Sequence, residues 1–277
     1  MRDFRINVFK RAALSRNFEV RVFDLIKEGT FNLPIYLSAG QEYISATISE
    51  VMEQKNIEPN IFIQHRGHST YLSFKAPIEK LIDELLGRKT GCAYGMGGSA
   101  SIHSTDKDIY GHDGLMGSQV PISVGHCYST LQPTIVFMGD ASAEEDYVLG
   151  AMGWASTKNI PILFVVEDNN LSILTEKKIR RNWNMDDVAR AFNMRALDVD
   201  DDPIEIKKAL DGVFEDPMLL NINTHRKFWH SGAGQDDENT FDRYQVEMNS
   251  LGKEAEEIHE FYKKEVYEIW QKQLEKQ

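Results

Sequence analysis

Two short polar clusters, each directly behind an apolar run, hold the residue types best suited to chemistry. Gly139-Asp140-Ala141 follows Thr134–Met138, and Asp168-Asn169 follows Pro161–Val166, with residues 142–167 between them. A carboxylate and a carboxamide oxygen that converge are hard ligands suited to Mg²⁺. That cation keeps a near-octahedral shell and is usually shared with phosphate groups. Gly139 would let the backbone come close to such a phosphate. The spacing alone equally admits a plain Asp cap after a strand and an unrelated Asn turn. His65 and His68 could form a metal pair, but the sequence places no third ligand beside them, which disfavours zinc. Gly95-Met96-Gly97-Gly98 does not fit the dinucleotide fingerprint, and no Gly-x-Ser-x-Gly elbow occurs. The adjacent acids Glu144 and Glu145 read as a solvated helix face.

For the two clusters to meet, the elements before them must run side by side. Thr134–Met138 and Pro161–Val166 are continuous apolar runs, as in strands buried on both faces. Between them Tyr147, Val148, Ala151, Met152 and Ala155 recur at helical spacing. Pro203 opens a helix carrying Ile206, Ala209, Leu210 and Val213, and Met218–Ile222 reads as a third strand. Pro77–Gly87 is helical, with Ile78, Leu81, Ile82, Leu85 and Leu86 on one face, Pro at its first turn and Gly at its end. This alternation predicts an α/β fold, a doubly wound and mostly parallel sheet with helices on both faces. Right-handed crossovers put all the strand C-termini on one edge, where ligands of such sheets bind. Helices are also expected over Phe4–Lys27 and Gln41–Gln54, and at the C-terminus over Lys253–Gln277, where Ile258, Tyr262, Val266, Ile269 and Leu274 recur. With no internal repeat, low-complexity stretch or linker, residues 1–277 are expected to form one domain.

Composition narrows the partners. The formal net charge of −12 disfavours nucleic acid or an anionic membrane surface, so any phosphate site must be built locally. Hydrophobic residues at 42% and charged residues at 27% are ordinary for a globular chain. Cys92 and Cys127 lack metal-ligand spacing and read as reduced, buried thiols. The N-terminal segment mixes Arg with Asp and Glu and has no apolar stretch, so neither a signal peptide nor a membrane span is expected there, and the location is expected to be cytoplasmic.

Further motifs carry a resemblance. Gly139-Asp140-Ala141 and Asp168-Asn169 partly match the Gly-Asp-Gly…Asn-Asn motif of thiamine diphosphate (ThDP) enzymes. Leu86-Gly87-Arg88-Lys89-Thr90-Gly91-Cys92 with Gly95-Met96-Gly97-Gly98-Ser99 looks like the "GRKGGCAKGKGGS" stretch of one branch, and Gly114–Pro121 looks like its "GIVGAQVP". Gly40-Gln41-Glu42, Arg66-Gly67-His68 and His230-Ser231 match its "GQE", "RxH" and late "HS". The matches are collinear from about Tyr36 to Ser231, and the chain resembles the alpha subunits of ThDP-dependent 2-oxo acid and acetoin dehydrogenases.

That resemblance implies a diphosphate-binding domain in which Asp140, Asn169 and the backbone carbonyl of Leu171 hold Mg²⁺. Arg66 and His230 would contact the diphosphate, with Gly139, Ala141 and Ser142 on the same cofactor loop. Gly114 and Met116 would lie near the aminopyrimidine ring, and His68, His230 and Tyr36 would stand on the catalytic side. It further implies a beta-type partner chain that supplies the activating glutamate in an alpha2-beta2 assembly, and a lipoyl acyltransferase as a further partner. The implied activity is cleavage of a carbon–carbon bond in a 2-oxo acid or ketone, with transfer of the acyl or aldehyde unit. A biosynthetic carboligase or transketolase-like enzyme without a lipoyl partner, and a non-catalytic scaffold subunit, remain alternatives. Three positions depart from the pattern. Ala141 replaces Gly, Tyr36 replaces a His that precedes "GQE", and His65 replaces the Tyr before Arg66. Together they imply a retained cofactor with an altered substrate.

Overall fold

The computed structural model describes residues 1–31, 33–232, 236–237 and 239–276. Two helices lead in, α1 (Arg2–Lys27) and α2 (Glu42–Lys55), followed by the short strand β1 (Asn60–Phe62), α3 (His68–Ser73) and α4 (Ile78–Leu85). After β2 (Ile109–Tyr110) and α5 (Gln119–Thr130) comes a strand–helix–strand unit, β3 (Thr134–Gly139), α6 (Asp146–Lys158) and β4 (Ile162–Asp168). A small hairpin, β5 (Leu171–Ser172) and β6 (Thr175–Glu176), passes into α7 (Lys177–Arg180) and α8 (Met185–Ala191). The chain closes with β7 (Arg195–Asp200), α9 (Pro203–Ala209), β8 (Met218–Asn223), α10 (Arg243–Leu251) and α11 (Lys253–Glu275). Local chemistry sets several boundaries. Asp202 accepts from the backbone N–H of Ile204 and Glu205 to cap α9, with Pro203 in its first turn, and Asp242 caps α10 through Tyr244 N–H.

Six strands form one parallel sheet in the order β2-β1-β3-β4-β8-β7, with β5 and β6 paired antiparallel apart from it. Alternation along the central strands divides the core in two. Ile135, Phe137, Leu163, Val165, Leu220 and Ile222 join residues of α1, α2, α9, α10 and α11. Val136, Met138, Phe164, Val166 and Leu219 join residues of α5, α6 and α8. The sheet is therefore covered on both faces, as the apolar runs predict, and each large side chain buried this way contributes roughly 1.5–3 kcal/mol. Cys127 is buried, Cys92 is half-buried, and both are free thiols. Among the described residues no helix is long and apolar enough to cross a membrane.

The chain passes outward from β1 to β2 and then returns to the other side of β1 for β3. This reversal opens a crevice beyond the C-termini of β1 and β3, the usual ligand position in such a sheet.

Candidate functional site at the C-terminal edge of the sheet

Strand register brings the two polar clusters together. Gly139 pairs with Glu167 across β3 and β4, so Asp140 and Asp168-Asn169 leave adjacent strands at the same level. A cavity of about 330 Å³ opens there. Its wall takes Gln64, His65 and Arg66 from just after β1, Gly139 to Ser142 from the end of β3 and the turn beyond it, Glu167 from β4, Asn169 from the turn after it, Leu171 from β5, and Arg226 and His230 from the segment after β8. Tyr36 and Met116 complete it from two loops.

One side is acidic. Burial and the neighbouring Asp168 carboxylate push Asp140 up to about 6, against the opposing pull of Arg180. Arg180 bridges Asp140 and Glu144, meeting Glu144 at 2.5 Å. Arg181 donates to the Asp140 carbonyl at 3.1 Å and pairs with Glu144 at 3.2 Å, while Lys177 pairs with Asp168. Glu144 is thus no solvated surface acid: two arginines that follow it by more than thirty residues fold back onto it, and Glu145 lines the cavity. Ala141 has φ −74°, in the right-handed region, so the turn works without Gly. At Gly139 the constraint is proximity, because a Cβ would come within 3.3 Å of Gln64 Oε1. Asn169 Oδ1 accepts from Leu171 N–H at 3.0 Å, and its Nδ2 donates to Gln41 Oε1 at 2.8 Å.

The other side is cationic. Arg66 is buried and donates to the Leu37 carbonyl at 2.5 Å and to His230 Nδ1 at 3.1 Å. Burial and the nearby Arg226 lower Arg66 to about 10. Burial and Arg66 hold His230 down near 4 and His65 well below its ordinary range, so both rings are neutral at neutral pH. Because Arg66 can only donate, Nδ1 of His230 must accept, which leaves the His230 proton on Nε2 as a donor. Tyr36 meets the rings of His65 and His230 in edge contacts at 4.9 and 5.6 Å. Arg226 is held by Asp236 at 2.6 and 2.7 Å.

Two expected residues stand back from the cavity wall. His68 is fully buried, its Nδ1 on Glu19 at 3.0 Å and its Nε2 on Ser99 Oγ at 2.9 Å. Ser99 Oγ in turn accepts from Tyr36 N–H at 2.9 Å. With both nitrogens engaged, His68 props the Tyr36 backbone from behind the cavity wall. Gly114, with φ +104°, lies on the loop before Met116 rather than on the wall. The sequence reading missed Gln64, Glu167, Arg226, Arg180 and Arg181. Gln64 donates to Glu167, which burial raises to about 7. The polar runs that follow the strands were the available signal for Gln64 and Glu167; the arginines carried none.

The donor set fits a hard cation shared with an anion. Among the described residues no three His, Cys, Asp or Glu side chains are grouped to hold a metal. Asp140, Asn169 and Leu171 line this space, and two side-chain oxygens there would leave most of an octahedral shell to phosphate oxygens and water. Arg66, Arg226 and His230 line the same space, and their N–H groups would offer an anion its donors.

The sequence profile of the dehydrogenase E1 component family matches residues 10–277. This chain belongs to that family. Within the E1 family it is 28% identical over 241 residues to the pyruvate dehydrogenase E1 component subunit alpha of Rickettsia bellii, covering 82% of this chain and 72% of that protein. It is likewise 28% identical over 242 residues to the mitochondrial subunit alpha of Dictyostelium discoideum, covering 83% and 63%. Among solved structures, a transketolase from Campylobacter jejuni superposes with a TM-score of 0.60 at 16% identity over 98% of this chain. The chain spans 48% of that transketolase chain, and the likeness is one of fold.

Proposed function

We propose that this chain is the diphosphate-holding, alpha-type subunit of a ThDP- and Mg²⁺-dependent 2-oxo acid dehydrogenase. It would act with a beta-type subunit that supplies the activating glutamate, in an alpha2-beta2 assembly that passes its acyl unit to a lipoyl acyltransferase. The observation that carries this reading is the convergence of Asp140, Asn169, Arg66 and His230 on one cavity at the sheet's C-terminal edge, in a chain of the E1 family.

Bound ThDP supplies the nucleophilic carbon and the electron sink for cleaving the bond next to the 2-oxo group. The chain's own residues do the positioning. Asp140 and Asn169 would hold Mg²⁺ with the Leu171 carbonyl, and the loop from Gly139 through Ala141 to Ser142 would face the diphosphate. Arg66 contributes a permanent charge, and neutral His230 donates through Nε2. Met116, on the loop that Gly114 shapes, would guide the pyrimidine end through its backbone, and Tyr36 would cover the side where substrate enters.

Tyr36 favours a second reading. Its phenol, wedged against His65 and His230, shapes this side of the cavity differently from the imidazole the family pattern has there. That suits a biosynthetic carboligase without a lipoyl partner. Calorimetry of ThDP binding to the chain co-purified with its partner, with and without Mg²⁺, tests the shared core of both readings. Mg²⁺-dependent binding that Asp140→Ala abolishes is the expected result; a well-folded complex that binds no ThDP would leave a scaffold subunit. Lipoamide-dependent turnover then separates the two.

A further inference from the structure

The segment that follows the Asn169 turn returns to the site as a set of cations. Lys177 pairs with Asp168, Arg180 spans Asp140 and Glu144, and Arg181 reaches the Asp140 carbonyl and Glu144. The Asp140 and Arg181 side chains are each 2% exposed and that of Arg180 is 13% exposed, so water screens these charges weakly. The Nε of Arg180 is buried without a hydrogen-bond partner among the described residues, which leaves its carboxylate contacts as the anchor of the guanidinium. The Asp140 carboxylate therefore already carries a cation, supplied by the chain itself.

A dication arriving at Asp140 meets that guanidinium. Mg²⁺ binds carboxylate oxygens at roughly 2.0–2.1 Å, so it would sit within a few ångströms of Arg180, with Arg181 and Lys177 close behind. Glu144 offers Arg180 another place, because it already accepts from Nη1 at 2.5 Å. We propose that Arg180 is an internal surrogate cation and that metal loading is an exchange, Mg²⁺ taking Asp140 while Arg180 retreats onto Glu144. The cost of breaking the Asp140–Arg180 pair then sets the apparent metal affinity, as for any ligand whose competent state is only partly populated. This inference rests on the reading of Asp140 as a metal ligand.

The test measures Mn²⁺ affinity of the full chain by counting free Mn²⁺ with electron paramagnetic resonance, with and without inorganic pyrophosphate. Wild type, Asp140→Asn, Arg180→Gln and Arg180→Lys are compared. Removing the competing charge in Arg180→Gln should tighten Mn²⁺ binding by about tenfold, equivalent to roughly 1.4 kcal/mol. Arg180→Lys, which keeps the charge, should stay near wild type. Asp140-dependent binding that is unchanged or weaker in Arg180→Gln overturns the exchange while leaving the metal site standing, since Arg180 would then only orient the carboxylate. If no chain binds Mn²⁺ in an Asp140-dependent way, the metal reading fails and the exchange fails with it.

Discussion

Gln41 Oε1 accepts a hydrogen bond from the Asn169 carboxamide nitrogen at 2.8 Å, across 128 residues of sequence. The Leu171 N–H donated to Oδ1 settles which end of the amide faces which way, and Gln41 holds the other end. With Nδ2 committed to Gln41, Oδ1 is the end left beside Leu171 and the cavity. Partners of this kind orient a metal's ligands without touching the metal. Gln41→Ala should weaken Mg²⁺-dependent ThDP binding by about 10–100-fold, the usual effect of losing such a partner. Gln41→Glu, which retains an acceptor, should recover most of it. Calorimetry on the assembled complex reads both, and equal affinities in all three proteins would remove Gln41 from the site.

Ala141 offers a reversed test. Its right-handed φ of −74° means that restoring the family's glycine relieves no strain. Ala141→Gly should leave cofactor affinity unchanged and lower stability by about 0.5–1 kcal/mol through added freedom of the unfolded chain. Tighter ThDP binding in that variant would show that the methyl group obstructs the diphosphate.

Glu84 concerns the glycine-rich loop rather than the cavity. Its two carboxylate oxygens accept from Ala93 and Gly95 N–H at 2.6 and 2.9 Å and from Gly97 and Gly98 N–H at 2.8 and 3.1 Å. Glu84→Ala strands these donors beneath the loop and should cost about 3–5 kcal/mol. A urea titration measures it, and a midpoint shift worth under about 1 kcal/mol would mean that water replaces the carboxylate without penalty.

The two half-buried histidines of the cavity should tilt stability with pH. Burial, Arg66 and Arg226 hold His230 near 4, from an ordinary 6.5, with only Asp236 pulling the other way. The unfolded chain therefore takes up a proton that the folded chain refuses between those values. The stability contribution is complete above about 6.5 and is lost as pH falls toward 4. His65 shifts in the same direction. A His65→Gln/His230→Gln double variant should show a shallower acid limb in urea midpoints measured from pH 7 to pH 4.5. Parallel curves for the variant and wild type would mean that these rings protonate freely in the folded state.

The parts of this molecule that could be read from its residues share a physical trait. β3, β4 and β8 are buried on both faces, so their apolar runs are unbroken and visible. β7, at the sheet edge, reads Arg-Ala-Leu-Asp-Val-Asp with half its positions exposed, and β1 and β2 are only three and two residues long, too short for a period to show. The site divides the same way. Asp140, Asn169, Arg66 and His230 stand in short motifs that resemblance can match. The Gln64–Glu167 and Arg180–Glu144 pairs join residues 103 and 36 apart, and no local pattern encodes such a meeting. His68 also stands in a motif, but only packing shows Glu19 and Ser99 against its two ring nitrogens.

The pairing of Gly139 with Glu167, and of Glu167 with Ile222, makes the sheet a ruler for the cavity above it. A strand advances about 3.3 Å per residue and turns its side chains over at each step. Deleting one residue within β3 would draw Asp140 back by that distance and exchange which half of the core Val136 and Phe137 enter. Length changes in this lineage should therefore gather in the loops at the opposite, N-terminal rim of the sheet, where added or lost residues leave the ruler untouched.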